Sequence, residues 1–177
     1  LPIVIGVLGG DGPRNYALLF QNNAEIRATG GNPGAGAVLK VDNGKVTMRD
    51  DPAALSFMAS GPRGYYPQSL DDPSKMGIFE PDTWKYSQNY TRTPDFADTA
   101  DLMGGLWSKT VGGKLDGIIS LDPVTLSYML KVAGPVAVPG ESAQVTADNA
   151  VTLLLSDSYE RFGGRGDLAD VYFAGIS

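Results

Sequence analysis

The sequence predicts an α/β (α+β) fold, a three-layer sandwich in which a central mixed β-sheet carries flanking helices. Three observations predict it. Apolar runs with strand character come early, at 15–22 and in a paired run at 35–50. Capped segments of helical length follow at 94–112, 123–134 and 146–162. A further apolar run at 115–121 lies between two of those helices, so helix and strand alternate in the C-terminal half. The 177 residues suffice for one domain with its own core. Residues 1–177 are therefore read as a single domain, and as a fragment of a longer chain because it opens at Leu1 rather than Met.

The elements follow in order. "LPIVIGVLGG" (1–10) is apolar but too short to span a bilayer, which takes about 20 residues, and it lacks the basic flank of a signal peptide. A membrane anchor is expected outside this sequence. "NYALLFQN" (15–22) reads as a buried strand, and "AGAVLKVDNGKVTMRD" (35–50) as a hairpin turning at Asp42-Asn43-Gly44, residues suited to positive φ. Residues 50–93 shift to Pro, Gly, Ser and Tyr, with a single helix-like patch at 52–59. That is longer than a plain connection, so a binding loop or flap is expected.

Pro94 and Asp95 open the next helix, and Gly112-Gly113 stop it. Gly104-Gly105 in its middle cost about 1 to 2 kcal/mol relative to alanine, which predicts close packing there. "LDGIISL" (115–121) reads as a buried strand. Asp122-Pro123 cap a helix that ends at Gly134, "PVAVP" forms a short strand, and Thr146 or Asp148 caps a last helix to 162.

Composition narrows the chemistry. The chain has no Cys and no His, which excludes disulfides, thiol nucleophiles, imidazole bases and the common zinc sites. Carboxylates, amides, hydroxyls, Lys, Arg or an oxygen-bound hard cation remain. A net charge of −6 argues against nucleic acid, whose phosphates call for surplus Lys and Arg.

The densest polar stretch is "FQNNAEIRATGGNPGAG" (20–36). Its plain reading is a turn braced by a Glu25–Arg27 ion pair. Its sharper reading is an oxyanion loop, with Asn22, Asn23, Glu25, Arg27 and Thr29 beside backbone N–H groups that Gly30 and Gly31 leave open. The pattern is neither a phosphate-binding loop with Gly-Lys-Ser/Thr nor a dinucleotide fingerprint. "TMRDDP" (47–52) offers Arg49 with Asp50 and Asp51, read either as solvated loop or as a carboxylate pair for Mg²⁺. "ERFGGRGD" places Arg161 and Arg165 after the last helix; its RGD tripeptide is a chance-level match to an adhesion motif.

Five blocks, "LLFQNNAEIRATGG", "VDNGK", "PDFADTA", "KLDGIISLDPVTLSYMLKVAGPVAVP" and "VTADNAVTLLLSDSYERF", resemble a bacterial, mostly actinobacterial family known as domain of unknown function 4012. The resemblance runs in order from Tyr16 to Phe173. It implies membrane-anchored, extracytoplasmic proteins associated with exopolysaccharide. More distantly, the order of pieces is similar to the LytR-CpsA-Psr family, which transfers glycopolymers from a polyprenyl pyrophosphate carrier to the wall with Mg²⁺.

That second similarity implies roles for particular residues. Arg27 falls where the family has an Arg-x-Asp motif, Arg49 and Asp50 where it has Pro-Arg-Asp, and Arg161 and Arg165 in its arginine-rich segment. Two positions depart: Ala28-Thr29-Gly30 replaces a metal-binding Asp, and Leu168-Ala169-Asp170 lacks a second arginine.

Two functions are thus expected. In the first, an extracytoplasmic domain binds or transfers polyprenyl-(pyro)phosphate-linked glycopolymer. The arginines would hold phosphate, Asp50 or Asp51 would hold Mg²⁺, and Arg27 and Asp50 would be catalytic. In the second, the same fold is a non-catalytic glycan-binding or scaffolding module, whose aromatics Tyr65, Tyr66, Trp84, Tyr86 and Tyr90 stack on sugars.

Overall fold

Two long strands, β1 (Arg14–Arg27) and β2 (Gly30–Asp42), pair antiparallel and form the spine of the protein. The computed structural model describes residues 2–50, 86–138, 144–157 and 160–161. A short helix α1 (Pro2–Val7) precedes β1, and β3 (Lys45–Arg49) returns along β2. The β2–β3 turn is as the sequence predicts: Asn43 and Gly44 take φ of 49° and 79°, the geometry whose twist matches two strands joined by two residues.

After the long connection, a 3-10 turn (Ser87–Arg92) leads into helix α2 (Phe96–Thr110). Asp95 caps α2, its carboxylate accepting from the Ala97 N–H at 2.9 Å. Strand β4 (Gly117–Leu121) then lies parallel to β1, with Tyr16 opposite Gly117 and Phe20 opposite Leu121. The four-stranded sheet runs β3-β2-β1-β4 and is mixed. The α+β class with helices beside a mixed sheet is therefore observed.

Helix α3 (Pro123–Ala133) follows β4 directly. Asp122 caps it through Oδ1, which accepts from the Thr125 N–H at 2.7 Å, and Gly134 ends it at φ 88°. A two-stranded ribbon pairs β5 (Val136–Ala137) with β6 (Gln144–Val145). Thr146 and Asn149 then cap the last turn reciprocally, Asn149 N–H donating to Thr146 Oγ1 and Thr146 N–H to Asn149 Oδ1.

The main core forms where α2 covers one face of the sheet. Ala17, Leu19 and Val38 meet Leu102, Met103, Leu106 and Trp107, all fully or nearly fully buried, with Tyr90 from the 3-10 turn beside them. Burying such side chains stabilises by about 1.5 to 3 kcal/mol each. A smaller cluster of Leu130, Val138, Val145 and Ala150 fastens α3 to the ribbon.

Four expectations are corrected. Residues 30–36 are strand rather than loop: "ATGGNPGAG" is the return arm of a hairpin that turns at Ala28-Thr29. Among the described residues β4 has β1 as its one partner in the sheet, and its Ile119 is exposed. Gly104 faces open space instead of a tight contact. The last helix, expected to be regular over 146–162, opens as α4 (Ala150–Thr152), passes through a π-helical turn over Leu153–Asp157 and is helical again at Glu160 and Arg161. The expected flap at 50–93 falls largely outside the described residues, as do its helix-like patch and Tyr65, Tyr66 and Trp84.

Candidate functional site

β1 is polar at both ends, and its longer polar run lies past the point where β4 stops pairing with it. Its central residues 17–19 are apolar and buried, whereas Gln21, Asn22, Asn23, Glu25 and Arg27 extend beyond Phe20, the last residue opposite β4. The β1–β2 register slips between Phe20 and Asn22, where β2 has the extra residue, and again between Asn22 and Arg27, where β1 bulges by three. Bulges redirect side chains from the sheet's alternation. Here they gather the amides of β1, Asn32 from β2 and Asp122 at the start of α3 into one patch.

The contacts within the patch are specific. Glu25 is its hub: Oε2 accepts from Asn32 Nδ2 at 2.9 Å and pairs with Arg27 Nη2 at 3.7 Å. Asn22 Oδ1 accepts from the Ala24 N–H at 3.0 Å. Asn23 Nδ2 donates to Asp122 Oδ2 at 3.2 Å, so Asp122 both caps α3 and ties it to the bulge. Arg27 Nη1 donates to its own chain, to the Ile26 carbonyl at 3.2 Å and the Glu25 carbonyl at 3.5 Å.

Hydrogen-bonding capacity is left over. Gln21 Nε2, Asn23 Oδ1, Arg27 Nε and Asn32 Oδ1 are buried without a partner, two donors and two acceptors at one end of the sheet. An unmet buried polar atom costs about 1 to 3 kcal/mol, so four together are an exception that packing does not explain. They are what a ligand rich in hydroxyls, each both donor and acceptor, can satisfy after small side-chain movements.

Thr29, Gly30 and Gly31 brace this end. Thr29 donates through both N–H and Oγ1 to the Thr91 carbonyl, at 3.1 and 3.0 Å, and Thr91 Oγ1 donates to the Gly31 carbonyl at 3.0 Å. Gly31 N–H donates to Gln21 Oε1 at 3.0 Å. A Cβ at Gly30 would overlap Gln21 Oε1, and one at Gly31 would overlap the Asn22 carbonyl. The glycines thus admit close approach within the hairpin, and Gly31 N–H already has a protein acceptor in place of the anion expected from the sequence.

The structure does not bring the other predicted residues here. Arg49 stands opposite Val38, whereas Arg27 stands opposite Gly30. Eight residues of β2 separate those positions, about 25 Å at the usual strand rise. Asp50 is exposed just after β3, and Arg161 is an exposed helical residue. Asp51 and Arg165 lie outside the described residues. Among the described residues no group of three or more acidic side chains gathers. Glu25, the carboxylate beside Arg27, is already engaged by Asn32 and Arg27. The described donor set therefore does not fit Mg²⁺, which wants open oxygen ligands.

At the opposite end of β1 a second polar group forms. Arg14 Nη1 pairs with Asp116 Oδ1 at 3.1 Å, and Asn15 N–H donates to Asp116 Oδ2 at 2.8 Å. Arg49 Nη1 donates to Asn15 Oδ1 at 3.4 Å while its guanidinium lies 5.2 Å from the centre of the Trp107 ring. Arg14, Asn15 and Asp116 were not singled out from the sequence. Their signal was polar residues heading two apolar runs, Arg14-Asn15 in "PRNYALLF" and Asp116 in "LDGIISL". Asn32 and Gln21 were missed as well, because their convergence depends on reading 20–36 as a hairpin.

A family model described as "Protein of unknown function (DUF4012)" matches residues 11–159, so the chain belongs to that family. The match spans both polar groups. No curated protein and no solved structure matches the chain.

Proposed function

We propose that this member of the family is an extracytoplasmic, LytR-CpsA-Psr-like domain that binds polyprenyl-linked glycopolymer during envelope polysaccharide assembly, and that it holds the polymer by its sugar chain. The binding groups are the side chains of Gln21, Asn23, Arg27 and Asn32 at the bulged end of the β1–β2 hairpin, with Asn22 and Glu25 beside them. One observation carries the reading: the four buried, unpartnered donors and acceptors that cluster there.

Charge selects sugar over phosphate at this place. The patch holds Glu25 and Asp122 against a single cation, and the two Nη groups of Arg27 are already engaged by Glu25 and two carbonyls, which leaves Nε. A diphosphate arriving there meets two carboxylates, whereas a neutral glycan meets amide and carboxylate groups of the kind that pair with hydroxyls. No proton transfer is assigned to the patch, so the glycan-binding module is preferred to the transferase.

The transferase reading keeps one supporting observation. Arg14 and Arg49 are joined through Asn15 and Asp116, with Asp50 next in the chain, so two guanidiniums and an exposed carboxylate lie at the other end of the sheet. If phosphate is handled by this domain, it is handled there, and Arg27 takes no part. Isothermal titration separates the readings. A neutral oligosaccharide panel is expected to bind the wild type and to bind Asn32→Ala about tenfold more weakly. Polyprenyl pyrophosphate binding that needs Mg²⁺ and is lost in Arg49→Ala, with no oligosaccharide bound, would establish the transferase reading instead.

A further inference from the structure

We propose that α1 docks the domain on a lipid bilayer, its side chains entering the zone between headgroups and acyl chains. The inference goes beyond the glycan reading and does not rest on it. Ile3, Val4, Ile5 and Val7 are 82%, 59%, 48% and 52% exposed, and Leu8 just after the helix is 43% exposed. No residue of α1 is buried, and residues 2–10 carry no charge. At 100° per residue those positions cover a little more than half of the helix's circumference, and Pro2 and Gly6 on the rest add no polar side chain. A surface helix of a water-soluble domain keeps an apolar stripe on the core and a polar face outside; α1 has neither.

Six residues do not form a stable helix by themselves. This one is held at its carbonyl end: Tyr16 Oη donates to the Val7 carbonyl at 2.8 Å and Arg14 Nε to the Gly6 carbonyl at 3.2 Å. The Gly44 N–H adds a bond to the Leu8 carbonyl at 2.8 Å. The fold thus fixes the backbone of α1 while leaving its side chains outside the core.

The shape of this surface decides its occupant. A helix of six residues is about 9 Å long and offers far less than the roughly 800 Å² per partner that a stable dimer needs. Val46 and Met48 of β3 extend the apolar surface: they are 55% and 48% exposed. Met48 stands opposite Leu39, and Leu39 opposite Tyr16, so β3 presents them on the sheet face of the tyrosine that holds α1. With a net charge of −6, attraction to anionic headgroups is not the driving force. Docked by α1, the domain points the amide-rich end of β1 away from the membrane.

The test is flotation of the whole 177-residue chain with vesicles. The wild type is expected to float with pure phosphatidylcholine vesicles at low and high salt. Val4→Glu with Val7→Glu lowers the bound fraction roughly tenfold or more, and Val132→Glu, at a still more exposed apolar site on α3, leaves it unchanged. Melting curves check that both variants fold. Four results would overturn the proposal: a wild type that stays unbound; an equal loss in Val132→Glu; binding confined to phosphatidylglycerol vesicles and abolished by salt; or an α1-dependent dimer in sedimentation that leaves no vesicle binding.

Discussion

Replacing Gly31 by alanine tests why the glycines of the hairpin are there. The added Cβ would overlap the Asn22 carbonyl and lie 2.7 Å from the Asn23 nitrogen, all of it backbone that cannot swing aside. Overpacking of this kind costs about 1 to 3 kcal/mol. The shift also strains two hydrogen bonds, Gly31 N–H to Gln21 Oε1 and Thr91 Oγ1 to the Gly31 carbonyl, each worth about 1 kcal/mol. Together these give about 2 to 4 kcal/mol, which lowers the melting temperature of a chain this size by about 5 to 15 °C. Gly34 is the control: it has open space around its Cβ position and no positive φ, so Gly34→Ala changes stability by about 0.5 kcal/mol or less. Differential scanning calorimetry reads both. A Gly31→Ala protein that melts like the wild type, or a Gly34→Ala protein that falls as far, would show that the glycines serve something other than this close approach.

Other consequences follow from the same contacts. Asp122→Ala removes the α3 cap and the Asn23 contact and should cost about 1 to 2 kcal/mol in chemical denaturation, whereas Asp122→Asn, which can still cap, recovers most of it. Trp107→Ala opens a cavity under Ala17, Leu19 and Val38 and should cost about 3 to 5 kcal/mol, a larger loss than either Asp122→Ala or Gly31→Ala. Arg14→Ala should cost about 1 kcal/mol or less, since its side chain is 34% exposed and its ion pair is screened. Asn32→Ala should leave the melting temperature nearly unchanged, because it deletes an unmet acceptor along with one bond to Glu25, while lowering glycan affinity about tenfold.

Local signals made the second half of the fold legible. Asp95 and Asp122 announce their helices because a carboxylate just before an apolar period caps exposed N–H groups, and Gly134 ends α3 because it tolerates positive φ. Asn43-Gly44 marks its turn for the same reason. The β1–β2 turn at Ala28-Thr29 carries no such pair, and Gly-rich sequence looks like loop when its partner strand is unknown. The stretch 30–36 becomes strand through pairing with β1, a tertiary cause that local preference cannot show.

The site was legible by residue and not by arrangement. Asn22, Asn23, Glu25 and Arg27 do share one patch, and the ion pair weighed as their plain reading is present. Arg49 was grouped with Arg27 through resemblance, yet strand register puts the two at opposite ends of the sheet. Asn32 joins Glu25 across the hairpin and Asp122 joins Asn23 from 99 residues away, contacts that exist only once β1 pairs with both neighbours.

The most direct measurement is a backbone-amide NMR titration of the intact domain, with a neutral oligosaccharide in one series and pyrophosphate plus Mg²⁺ in the other. Saturable shifts confined to residues 21–32 and 122–125 with the sugar, together with none there with pyrophosphate, are the predicted result. Shifts centred on Arg14, Asn15, Arg49 and Asp116 with pyrophosphate, and none at the hairpin end with any sugar, would contradict it.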